Sequence, residues 1–140
     1  MAKSKAKILV VDDNNGIRAA LGLLLPMHFA QVELIPSPKE LVSRLADFRP
    51  DVVLLDMNFH TDINTGNEGL FWLSEIKKRC EDVEVVLFTA YADIQLAVEG
   101  MKRGAFDFIV KPWDNEKLIE ILKAAYANRS KEAREASAVP

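Results

Sequence analysis

The sequence predicts an α/β domain in which a parallel five-stranded sheet is covered by helices on both faces. Three observations lead to it. Short apolar, β-branched runs alternate with longer segments of helical periodicity, and the pair recurs five times between Ile8 and Arg129. Several of the short runs, such as Ile8-Leu9-Val10-Val11 and Val52-Val53-Leu54-Leu55, are apolar at every position, which is how parallel strands buried on both sides read. The chain has 140 residues, 49% hydrophobic and 28% charged, an ordinary balance for one compact unit and too short for two.

The elements follow in order. A first strand over 8–11 leads to a helix over 15–27, and a second strand over 31–35 leads to a helix over 38–48. That second helix carries a start signal: Ser37 is placed as N-cap, Pro38 occupies the first helical position, and Glu40 completes a capping box. The third strand spans 52–55 and its helix 68–79, with Cys80 just beyond as a reduced thiol. The fourth strand spans 83–88 and its helix 92–103. The fifth strand spans 107–110, and its helix over 115–129 is capped by Asp114 and striped by Leu118, Ile121, Leu122 and Ala125. Right-handed crossovers leave few topologies for five such units, and the flavodoxin-like order 2-1-3-4-5 is the expected one. After Ala127 the composition turns polar and small, as in a helix running out into a linker. The expected division is therefore a domain over 1–127 and a helix extension or linker over 128–140.

Composition also excludes functions. Eighteen basic against 21 acidic side chains give a net charge of −3, which counts against a broad nucleic-acid or anionic-membrane surface. A single cysteine cannot form an intramolecular disulfide. Three lysines precede a four-residue apolar run that Asp12 and Asp13 interrupt, too short for a secretory core or a membrane span. The expectation is a soluble cytoplasmic protein.

In open α/β sheets, sites form beyond the carboxyl ends of the strands, where loops and helix N-termini converge. Strand one ends in Asp12-Asp13, strand three in Asp56, strand four in Thr89 and strand five in Lys111 followed by Pro112. In the order 2-1-3-4-5 these four strands are contiguous, so three carboxylates, a hydroxyl and an ammonium crowd together. Each pair of carboxylates at 4 Å repels by about 4 kcal/mol at an effective dielectric of 20. A hard divalent cation relieves that repulsion, and Mg²⁺ suits all-oxygen ligands. A carboxylate can also serve as nucleophile in phosphoryl transfer, with a metal, a lysine and a hydroxyl neutralising the moving oxygens.

These segments are recognisable together. Ile8-Leu9-Val10-Val11-Asp12-Asp13, Val52-Val53-Leu54-Leu55-Asp56, Phe88-Thr89-Ala90-Tyr91 and Gly104-Ala105-Phe106-Asp107-Phe108-Ile109-Val110-Lys111-Pro112, in that order, resemble the receiver domain of bacterial two-component response regulators over residues 7–127. The resemblance implies that Asp56 is the phosphoacceptor for a phosphohistidine on a sensor histidine kinase. It implies Mg²⁺ bound by Asp13 and Asp56, by Asp12 mainly through water, and by the Asn58 backbone carbonyl. Thr89 matches the switch hydroxyl, Phe108 the switch aromatic, and Lys111 the lysine that pairs with the phosphoryl group, with the Lys111–Pro112 bond cis. Asn58 and Tyr91 match positions that tune dephosphorylation. The face formed by the fourth helix, fifth strand and fifth helix is implied to dimerise or to contact a C-terminal output domain, an ATPase or DNA-binding module. Such a domain accepts and loses its own phosphoryl group and is not a turnover enzyme.

The chain also departs from the pattern. Where most receivers carry Met-Pro at the third and fourth positions after the phosphoacceptor, Phe59 and His60 stand here, and the loop over 57–67 is longer than usual by about five residues. The long loop resembles that of receivers attached to σ54-dependent transcription activators. His28 and His60 lack a second His or Cys at metal spacing, and Trp72 and Trp113 read as packing residues. The competing function is an interaction-only pseudo-receiver, against which the complete set of five residues speaks. An aspartate-nucleophile phosphatase would carry Asp-x-Asp where this chain has Asp56-Met57-Asn58, and no G-x-G-x-x-G or G-x-x-x-x-G-K-[ST] marks a nucleotide site.

Overall fold

A computed structural model describes residues 2–58 and 68–138, with side-chain surroundings through residue 129. The described residues form a parallel sheet in the order β2-β1-β3-β4-β5, as the alternating pattern predicts. The strands are β1 (Ser4–Val11), β2 (Phe29–Ile35), β3 (Val52–Asp56), β4 (Glu84–Ala90) and β5 (Asp107–Lys111). The helices are α1 (Asn15–Leu24), α2 (Leu41–Asp47), α3 (Glu68–Arg79), α4 (Ile94–Lys102) and α5 (Asn115–Ala138).

The continuous apolar runs are explained by burial on two sides, because successive side chains of a strand point to opposite faces. Leu9, Val11, Val53, Leu55, Val85 and Leu87 join a core with Leu41 and Leu45 of α2, Leu70, Leu73 and Ile76 of α3, and Ala97 of α4. Their neighbours Ile8, Val10, Val52, Leu54, Val86 and Phe88 join a second core with Leu21 of α1 and Leu118, Ile119, Leu122 and Ala125 of α5. Helices α1 and α5 therefore cover one face, and α2, α3 and α4 the other.

Element ends shift where backbone chemistry intervenes. Pro26 has no N–H to continue the α-helical ladder, and the predicted helix over 15–27 divides into α1 and a 3-10 turn over Leu25–Met27. The predicted helix over 38–48 likewise opens as a 3-10 turn over Pro38–Glu40. Ser37 does cap it, but its hydroxyl accepts from the Lys39 amide at 3.1 Å, not from Glu40 as a capping box requires. The fourth helix is also shorter than predicted, because residues Tyr91–Asp93 form a 3-10 turn ahead of α4. Its end is set by Gly104, whose φ of 105° is one that L side chains rarely adopt. Asp114 caps α5 as expected, its carboxylate accepting from the Glu116 amide at 3.0 Å.

The predicted helix end at Arg129 is exceeded, since α5 runs on to Ala138. Near that point the helix is tied to the amino ends of the strands. Arg129 bridges Asp51 and Asp82 at 3.1 Å each, and Asn128 donates to the buried Glu84. Among the described residues, no helix is long and apolar enough to cross a membrane.

Candidate functional site

Strand register places the polar residues side by side. Val11 pairs with Leu55, so Asp12 and Asp56 are each the next residue along neighbouring strands. Asp56 pairs with Phe88 and Ala90 with Lys111, which brings the ends of β3, β4 and β5 to the same rim. Face parity then sorts the side chains. Asp12, Asp56 and Lys111 share the parity of Val10, Leu54 and Ile109, the α1/α5 side. Thr89 and Phe108 share the parity of Leu87, the α4 side, and Phe108 packs half-buried against that core.

The carboxylates do converge. One oxygen from each of Asp12, Asp13 and Asp56 lies within 4.8 Å of the others. Lys111 reaches into this cluster, its ammonium 3.0 Å from Asp12 Oδ2 and 3.0 Å from Asp56 Oδ1. The same ammonium sits 4.7 Å over the Phe88 ring, a cation–π contact that holds it against the sheet. Trp113 packs edge-on against Phe88 at 5.3 Å between ring centroids, in keeping with its expected packing role.

Each acidic group is held differently. Both oxygens of the fully buried Asp12 are engaged: Oδ1 accepts from the Asn14 amide at 2.9 Å, and Oδ2 takes Lys111. Asp56 Oδ1 accepts from the Asn58 amide at 3.0 Å as well as from Lys111. Asp56 Oδ2 is buried with no hydrogen-bond partner among the described residues. Burial, the largest influence, pushes the Asp56 carboxyl up from 3.8 to about 6; Lys111 pulls it down, Asp12 pushes it up, and the Asn58 amide pulls it down. An all-oxygen cluster with excess negative charge and an uncommitted buried oxygen fits a hard divalent cation such as Mg²⁺.

Thr89 is fully buried at the rim, and its hydroxyl donates to the carbonyls of Ala90 at 3.3 Å and Asp93 at 3.4 Å, toward α4. The Lys111–Pro112 peptide is cis, as the resemblance implies. Tyr91 is 78% exposed beside Thr89, and Asn58 is half-buried. Phe59, His60 and the rest of 59–67 lie outside the described residues, so the readings of the long loop are not addressed by the structure.

A sequence model described as the response regulator receiver domain matches residues 8–123. The chain belongs to that family. This receiver is similar in structure to the N-terminal signal receiver domain of a two-component response regulator from Bacteroides fragilis, with 56% identity, a TM-score of 0.80, and 88% of this chain and 98% of that one covered. It is also similar to NtrX from Brucella abortus, with 31% identity and a TM-score of 0.83 over 97% of this chain and 30% of that one. Among curated proteins, the regulatory protein AtoC of Escherichia coli is 32% identical over 85% of this chain and 25% of its own length. The response regulator protein PilR of Pseudomonas aeruginosa is 33% identical over 95% of this chain and 29% of its own. The receiver thus spans little more than a quarter of those curated relatives.

Two residues near the site went unread in the sequence. Gly69, at the start of α3, lies so close to the residue after Asp56 that a Cβ there would stand 2.8 Å from Met57 Sδ and 3.0 Å from Met57 Cα. A lone glycine in a helix start carries no signal of such contact. Arg18 bonds the Asp12 carbonyl. Its signal was available, since a basic residue near a helix N-terminus opposes the macrodipole.

Proposed function

We propose that this receiver takes a phosphoryl group onto Asp56 from a phosphohistidine on a sensor histidine kinase. In this reading Asp13, Asp56 and the Asn58 backbone carbonyl hold Mg²⁺, and Asp12 holds it mainly through water. The observation that carries the proposal is the Lys111 ammonium at 3.0 Å from both Asp12 and Asp56, with Asp56 Oδ2 buried beside it and without a hydrogen-bond partner among the described residues. That both Asp12 oxygens already have protein donors supports its indirect role. When bound, Mg²⁺ supplies positive charge to the oxygens of the transferring group.

The remaining work falls to the chain's own groups. Lys111 favours the ionised, nucleophilic form of Asp56 against the burial that opposes it. An Asp56 oxygen forms the O–P bond as the P–N bond of the phosphohistidine breaks; the electron pair leaves with the imidazole, which takes a proton from solvent. Lys111 then pairs with the new phosphoryl oxygens. Thr89 gives up its bonds to Ala90 and Asp93 and turns its hydroxyl to the phosphoryl group. Phe108 lies on the same sheet face, opposite Leu87 and diagonal to Thr89. Movement of Thr89 therefore opens space into which that ring turns, a switch between two packings.

The surface that reads out the switch is formed by α4, β5 and α5. Val98 and Met101 of α4 are exposed, and a groove along the edge strand β5 is lined by Phe108, Val110, Trp113 and Ile121. This face dimerises or contacts a C-terminal output module, with residues 1–127 as the receiver unit and 128–140 as a helix extension or linker toward it. A relative named as the DNA-binding transcriptional regulator NtrC of Salmonella typhimurium supports an output in transcription; we read that output as σ54-dependent and its place of action as the cytoplasm. The test is incubation with Mg²⁺ and a small acyl phosphate followed by intact mass. A phosphoryl adduct that disappears in Asp56→Asn is expected; no adduct, or one that survives the substitution, returns the chain to an interaction-only receiver.

A further inference from the structure

We propose that Arg18 is a positioning residue that sets the acidic loop for its cation, an inference that rests on the Mg²⁺ reading above. Arg18 lies one turn into α1, and its guanidinium reaches back over the helix cap. Nη1 donates to the Asp12 backbone carbonyl at 2.8 Å, and Nη2 donates to the Asn15 side-chain oxygen. The Asp12 carbonyl and the Asp13 N–H belong to one rigid peptide plane. Fixing the carbonyl end of that plane fixes the direction in which Asp13 leaves it.

Neighbouring groups of the loop are anchored as well. The Asp12 amide donates to the Ile35 carbonyl at 3.1 Å, and the Asp12 side chain is held by Asn14 and Lys111. Asn14 caps α1, its side-chain oxygen accepting from the Ile17 amide at 2.9 Å. Between these anchors Arg18 holds the carbonyl end of the Asp12–Asp13 peptide. A planar fork with fixed donor directions suits this task, whereas a lysine offers a point charge on a flexible stem. The position opposes the helix macrodipole, a cost accepted for the contact.

The alternative is that Arg18 is an ordinary basic neighbour of acidic groups. The two readings differ in sign. A nearby cation repels Mg²⁺, so removing a merely electrostatic Arg18 tightens Mg²⁺ binding. Removing a positioning Arg18 loosens it, because groups that orient metal ligands are typically worth 10- to 100-fold in affinity.

The experiment is a calorimetric titration of the full chain with Mg²⁺ alone, for the parent, Arg18→Ala, Arg18→Lys and Asn15→Ala. Arg18→Ala is expected to weaken Mg²⁺ about tenfold. Arg18→Lys is expected to recover little of that loss, and Asn15→Ala, which frees one arm of the fork, to fall between the parent and Arg18→Ala. Thermal midpoints in EDTA within a few degrees of the parent confirm that the variants fold. A parent that binds while Arg18→Ala binds equally well or more tightly overturns this inference alone, as does full recovery in Arg18→Lys. A parent that does not bind Mg²⁺ overturns the metal reading first and this inference with it.

Discussion

Replacing Asp56 by asparagine is expected to stabilise the metal-free protein at neutral pH. The side chain is buried, one of its oxygens has no hydrogen-bond partner among the described residues, and a second carboxylate, Asp12, shares its lysine. Folding raises its pKa from 3.8 to about 6, chiefly through burial, with Lys111 opposing and Asp12 adding to the rise. The folded state thus holds the proton more tightly than the unfolded chain does. The associated stability is fully present below about pH 4 and is lost as pH rises through 6. One pKa unit corresponds to about 1.4 kcal/mol, so the interval from 3.8 to about 6 sets a ceiling of about 3 kcal/mol on the destabilisation at pH 7.

Asparagine keeps the shape and removes the charge, but it weakens the bond to Lys111. A net gain of about 1–3 kcal/mol is expected, or roughly 3–9 °C in the melting midpoint for a chain of this size. The assay is thermal unfolding by circular dichroism in EDTA between pH 4 and 8. The parent and the variant should converge toward pH 4 and separate above pH 6. Saturating Mg²⁺ should narrow or reverse the separation, because a ligand that binds only the folded state stabilises it and the variant has lost a carboxylate ligand. A variant less stable than the parent at pH 7 in EDTA, or a difference independent of pH, would refute the account of the site as strained by its own charge.

Two further substitutions probe other parts of the site. Lys111→Ala removes the counter-charge that the buried carboxylates of Asp12 and Asp56 share, and about 3 kcal/mol of metal-free stability should go with it at pH 7; phosphorylation by a small acyl phosphate should persist while amide shifts over α4 and β5 no longer follow it, and parent-like shifts in the variant would remove Lys111 from the switch. Gly69→Ala places a methyl group 3.0 Å from the Met57 backbone, so α3 must retreat from the loop after Asp56. Denaturant titration should show a loss of about 1–3 kcal/mol, and labelling should be slower than in the parent; an unchanged midpoint would mean that the helix start yields without strain.

Much of this was legible in the sequence because local chemistry carries it. Uninterrupted runs such as Val52–Leu55 mark strands buried on both faces, and the polar residues that end them mark the rim where a site forms. Pro26 and Pro38 were read within or at the start of helices. The structure instead gives them 3-10 turns, since a missing N–H and a fixed φ act over a few residues that a helical period averages away.

What only the tertiary structure decided is which polar groups meet and on which side. The pairing of Val11 with Leu55 and of Ala90 with Lys111 puts residues 12, 56 and 111 on the α1/α5 side, while Thr89 and Phe108 face α4. A one-residue slip in either pairing would reverse that assignment, because side chains alternate with a period of two and register is set by long-range packing. The bond from Arg18 to the Asp12 carbonyl belongs to the same class. It depends on the path of a backbone between a strand and a helix, which residue identities name but do not draw.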